Sequence, residues 1–68
     1  SIYPNPFQNT LHFSKVEIDS EIQAYNLNGQ LLLSEKVDKE QFELSTNSLK
    51  SGIYFVKVKN ELFKVIKD

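Results

Sequence analysis

The side chains able to do chemistry are few and far apart. His12 is the only histidine, and the chain has no cysteine. A metal site or a proton relay needs several ligands or partners at defined spacing, and His12 has none nearby in the sequence. Flanked by Leu11 and Phe13 in an alternating stretch, it is expected to point outward. The carboxylates Asp19, Glu21, Glu35, Asp38, Glu40, Glu43, Glu61 and Asp68 fall in turns or on outward strand positions, and Glu17 sits beside Ile18. Their spacing matches no calcium-binding loop. Serine and threonine occur without a nucleophile elbow or a Cys–His pairing. No paired acid and base groups emerge, so the reading is that the chain is not an enzyme. It contains no predicted catalytic, cofactor-binding or metal-ligating residue.

The remaining chemistry is that of lysine. All eight basic residues are Lys, none is Arg, and the net charge is -1. Nucleic-acid recognition favours a large basic field and the bidentate guanidinium fork, and both are missing. Lys57, Lys59, Lys64 and Lys67 cluster toward the end of the chain and could form a basic stripe for a partner. An ordinary solvated strand face explains them equally, because lysine also protects edge strands from mispairing.

These residues must be positioned by short strands. Residues 1–9 contain both prolines and are expected to form an extended lead-in. Leu11-His12-Phe13-Ser14 alternates as a strand, and Asp19-Ser20 marks a turn. Glu21 to Tyr25 is a second strand with Ile22 and Ala24 on one face. Asn28-Gly29 suits a type I′ hairpin turn into a strand over residues 30–37. Asp38-Lys39-Glu40 is a charged turn. Gln41 to Leu44 alternates so as to bury Phe42 and Leu44. Ser45-Thr46-Asn47-Ser48 could cap a single helical turn above Leu49. Gly52, predicted at positive φ, leads into the strongest strand, 53–59. There Tyr54, Val56 and Val58 face the core, with the Tyr54 hydroxyl expected to reach a backbone group or the rim. Asn60-Glu61 turns the chain back into a last strand, Leu62 to Lys67.

Short strands at this spacing, with turn signals between them, predict an all-β fold. The expectation is a small immunoglobulin-like antiparallel β-sandwich of six to seven short strands. Sixty-eight residues make one domain at most, and a domain this small buries only about 60% of its unfolded surface. No apolar run approaches the length of a membrane span, and the start of the chain does not read as a signal peptide. An opening without Met reads as a piece of a longer, secreted protein.

Four elements occur in an order that resembles the C-terminal sorting domain carried by cargo of the bacterial type IX secretion system. The first is Tyr3-Pro4-Asn5-Pro6. The second is Ala24-Tyr25-Asn26-Leu27-Asn28-Gly29-Gln30-Leu31, in which Asn26 stands where the family usually has Asp. The third is Leu49, Gly52, Ile53, Tyr54 and Val56, and the last is Lys64, Val65 and Lys67. The resemblance implies a noncatalytic address at the end of a cargo protein of Bacteroidota-type bacteria. Its partners would be the outer-membrane translocon, a sortase-like cysteine protease that removes it, and the upstream cargo domain. The destination would be the cell surface or the medium, by way of the periplasm. On that reading the candidate recognition residues are Tyr3, Pro4, Asn5, Pro6, Gly52, Tyr54, Lys64 and Lys67. The alternative is an accessory β-sandwich that binds carbohydrate or a neighbouring domain, with Phe55 beside Lys57 as its candidate contact.

Overall fold

The computed structural model describes residues 2–3, 7 and 9–68. Seven strands run through them: β1 (Ile2–Tyr3), β2 (Thr10–Phe13), β3 (Glu21–Tyr25), β4 (Leu31–Lys36), β5 (Phe42–Ser45), β6 (Gly52–Val58) and β7 (Glu61–Lys67). They form two antiparallel sheets, β1-β2-β5 and β4-β3-β6-β7. The all-β sandwich expected from strand spacing is the observed architecture.

Alternation explains how the sheets meet. Successive strand side chains point to opposite faces, so each apolar set at spacing two lies on one side. β2 contributes Leu11 and Phe13 and β5 contributes Leu44, while β3 supplies Ile22 and Ala24. Tyr54 and Val56 come from β6, and Val65 from β7. Three residues outside the strands, Phe7, Val16 and Val37, complete the core. Phe7 is fully buried, a burial that contributes about 1.5–3 kcal/mol.

The segments that cross between the sheets are tied to each other. On one flank Val16 N–H donates to the Glu40 carbonyl at 3.1 Å, and Asp19 and Ser20 exchange bonds with Val37 at 2.9 and 2.8 Å. Lys15 and Asp19 take positive φ there, 58° and 75°. At the opposite pole Thr46 N–H donates to the Asn9 carbonyl at 2.9 Å.

Three local expectations change. Gly29 has φ +81° but Asn28 does not lie at positive φ, so the β3–β4 hairpin is not type I′. Gly29 N–H closes the turn onto the Asn26 carbonyl at 3.0 Å, and the Asn26 side-chain oxygen accepts from Asn28 and Gln30 N–H at 2.9 and 3.0 Å. This is the three-residue loop ending in a left-handed glycine. It wins because Asn26 supplies an acceptor to the loop's own backbone. A register shift follows between Ala24 and Tyr25. The 46–49 segment forms one turn, closed by Leu49 N–H on the Thr46 carbonyl at 3.0 Å, and no helix. The last hairpin turns at Lys59-Asn60, one residue earlier than expected, with Lys59 at φ 56°.

A candidate recognition site at the closing pole

The second half of the chain builds one end of the sandwich around Gly52. Gly52 stands directly opposite Lys67 where β6 begins and β7 ends. Its φ is +155°, and a Cβ there would meet nothing within 4 Å. Glycine is therefore required by backbone conformation and not by crowding, since this region is essentially closed to other residues. Two residues on, the Tyr54 ring is buried, and its hydroxyl donates to the Lys50 carbonyl at 2.5 Å. That bond ties the start of β6 to the crossover preceding it.

Lys67 completes the pole from the opposite strand. It is 9% exposed, and its Nζ donates to the Thr46 carbonyl at 2.5 Å and to the Leu49 carbonyl at 2.6 Å. A buried ammonium is costly unless its protons are taken up by acceptors. Here the turn at 46–49 aims two carbonyls at it. Thr46 itself is fully buried.

The N-terminal segment enters the same pole. Phe7 N–H donates to the Ile66 carbonyl and Asp68 N–H to the Phe7 carbonyl, both at 2.8 Å. Together they make a parallel bridge between Phe7 and Lys67. Thus the sequence start, the 46–52 crossover and the chain end are joined by main-chain and ammonium bonds within one small region.

The predicted site residues divide among three positions. Gly52, Tyr54 and Lys67 belong to this closing pole. Lys64 is exposed on the outward face of the four-stranded sheet. Tyr3 pairs with His12 in β1, and Pro4, Asn5 and Pro6 lie outside the described residues. The basic stripe does not form as a single face. Residues 64 and 67 are three apart in a strand and so point to opposite sides, and Lys67 is inward with Val65. Lys59 lies at the far turn, where its Nζ is 2.5 Å from a Glu17 carboxylate oxygen. Sequence reasoning overlooked Phe7 as a core residue and the Thr46 and Leu49 carbonyls as ligands of an ammonium. The inward parity of Lys67 was available in the spacing from Val65, but charge was read in preference to parity.

His12 lies on the outer face of the three-stranded sheet, as expected, with Nδ1 3.1 Å from a Glu43 carboxylate oxygen of the adjacent strand. Among the described residues no group of three or more His, Cys, Asp or Glu side chains could hold a metal ion. No helix among them is long and apolar enough to cross a membrane. Of the phenylalanines weighed as a carbohydrate platform, Phe7 and Phe13 are buried, and Phe55 is partly exposed.

Comparison with protein families adds one finding. A family model described as the secretion system C-terminal sorting domain matches residues 1–68. No curated protein matches the chain, and no solved structure does.

Proposed function

Because this chain belongs to the family of secretion system C-terminal sorting domains, we propose that it directs an attached cargo protein through the type IX outer-membrane translocon. The family is one of type IX sorting signals, generally noncatalytic, and it implies interaction with the secretion system and export from the cell. In the proposed mechanism the translocon reads the chain as a folded sandwich that includes its last hairpin. A sortase-like cysteine protease then removes the single domain spanning residues 1–68, and the cargo is released or joined to a surface lipopolysaccharide.

The observation that carries the reading is the family match along residues 1–68. The closing pole supports it, because the aliphatic-tyrosine strand, Gly52 and Lys67 meet there with Phe7. Recognition by strand addition to the end of β7 is disfavoured on physical grounds. Backbone groups at that end already bond Phe7, so an added strand would have to displace a buried aromatic residue. Reading of preformed side-chain surface is the better mechanism.

The test is export of a reporter carrying residues 1–68 at its C-terminus, in a bacterium that has the type IX system. Reporter is expected at the cell surface or in the medium, and it should stay in the periplasm when the domain is omitted. Retention of the complete fusion in the periplasm refutes the proposal. Export that survives deletion of residues 60–68 refutes the part assigned to the last hairpin.

A further inference from the structure

The outward face of the four-stranded sheet has an unusual composition for a surface. One row across all four strands is formed by Leu31, Tyr25, Phe55 and Lys64, each the direct partner of the next. On one side of this row Ile53 faces Ile66, and on the other Lys57 faces Leu62. Ile53 and Ile66 are 37% and 39% exposed, and Leu62 is 61% exposed. The Tyr25 hydroxyl donates to Gln23 Oε1 at 2.8 Å, which holds that ring beside Phe55 as a cross-strand aromatic pair. A contiguous exposed apolar patch of this kind marks an interaction surface more than a solvated one.

The charges on the face have one sign where they are not paired off. Glu21 is its one outward strand carboxylate, and it stands opposite Lys36 at the margin. Lys57 and Lys64 flank Phe55 on β6 and β7, whose other outward residues are apolar. From strand spacing and rise the patch covers roughly 300 Å². A stable protein interface needs about 800 Å² from each partner, so the patch suits a brief contact. A second copy is a poor occupant, because a two-fold contact would set the Lys57 and Lys64 pairs of both copies against each other.

We infer that this face is a transient docking surface for a protein partner whose contact is apolar at its centre and carries carboxylates placed to meet Lys57 and Lys64. Tyr25, Ile53, Phe55 and Ile66 supply the apolar contact. The two lysines steer the encounter and reject basic surfaces. Identifying the partner with a component of the export machinery rests on the sorting function proposed above. The surface lies on the opposite side of the sheet from the buried core, so its side chains can change without emptying that core.

The test uses the reporter fusion with Lys57→Glu/Lys64→Glu and, separately, Ile53→Thr/Ile66→Thr, which keeps β-branched residues in the strands. Each pair is expected to lower exported reporter about tenfold, with Lys57→Gln/Lys64→Gln between them and the parent chain. The melting temperature of each purified 68-residue variant should remain within a few degrees of the parent. Failure of the parent fusion to be exported refutes the sorting reading. Parent export with undiminished export of both pairs refutes the docking surface alone. Loss confined to variants that no longer melt cooperatively also refutes it. Two further measurements exclude other occupants. Sedimentation should find the chain monomeric, and a dimer dissolved by Ile53→Thr/Ile66→Thr would overturn the inference. Flotation with phosphatidylglycerol vesicles should leave the chain unbound, and binding abolished by Lys57→Glu/Lys64→Glu would overturn it in favour of a lipid surface.

Discussion

Lys67 shows how a charged residue can serve the interior of a very small protein. Its stem follows Val65 into the core side of β7, and its ammonium meets the carbonyls of Thr46 and Leu49. Lys67→Met keeps the stem but strips both carbonyls of their donor. Charge-assisted bonds of this type are worth about 1.5–3 kcal/mol, and orphaned buried acceptors add a similar penalty. Lys67→Met is therefore expected to destabilise the domain by about 2–3 kcal/mol in urea unfolding. An exposed lysine read only by a partner would leave stability within about 0.5 kcal/mol of the parent. Gly52 acts through its backbone. With no atom near its absent Cβ, Gly52→Ala is expected to cost about 1–3 kcal/mol by conformational strain alone. The companion Gly29→Ala should cost less, because φ +81° lies near the left-handed well that other residues visit at about 1–2 kcal/mol.

Among the elements, the sheet edges carry the functional consequences. The β7 edge is occupied at its C-terminal end by Phe7, and the β4 edge bears Leu31 and Leu32 at 47% and 36% exposure. β4 manages this liability with a register shift at its start and with Glu35 and Lys36 at its end, the devices that discourage further strand pairing. Phe7 makes the lead-in a structural part of the sandwich. Phe7→Ala removes a fully buried ring and loosens the parallel bridge, at an expected cost of about 3–5 kcal/mol. Thermal unfolding of that variant should begin near room temperature, while Gln8→Ala serves as the neighbouring control in the same assay.

For the molecule as a whole, size governs how each of these changes is felt. The folded surface is 4596 Å², against about 11,500 Å² for the unfolded chain, so about 60% is buried. Stability of a domain this size is roughly 3–10 kcal/mol. A single core substitution therefore removes a large part of it. Deletion of residues 60–68 deletes Val65 and Lys67 as well as Lys64, so lost export in that experiment reflects a lost sandwich and a lost surface together. The outward-face substitutions separate the two, since they leave the core cluster intact. Fold and address are then distinct properties of one small body, with the pole holding it shut and a sheet face available to a partner.

Local signals sufficed for much of this. Strand alternation named the inward residues of β2, β3 and β6, and the glycine before Ile53 announced a positive φ, because both depend on near neighbours in the chain. The ordered motifs likewise identified the family, since order and spacing are properties of sequence. Three things depended on segments far apart. The hairpin at Asn26 to Gln30 chose its turn through a side-chain acceptor and a register shift against β4. Phe7 became core only because β7 offers it a parallel edge. Lys67 became an internal anchor only because the 46–49 turn folds its carbonyls over the end of β7. Residue type says that an ammonium prefers water. Only the tertiary structure could decide otherwise, by bringing two acceptors from eighteen and twenty-one residues away.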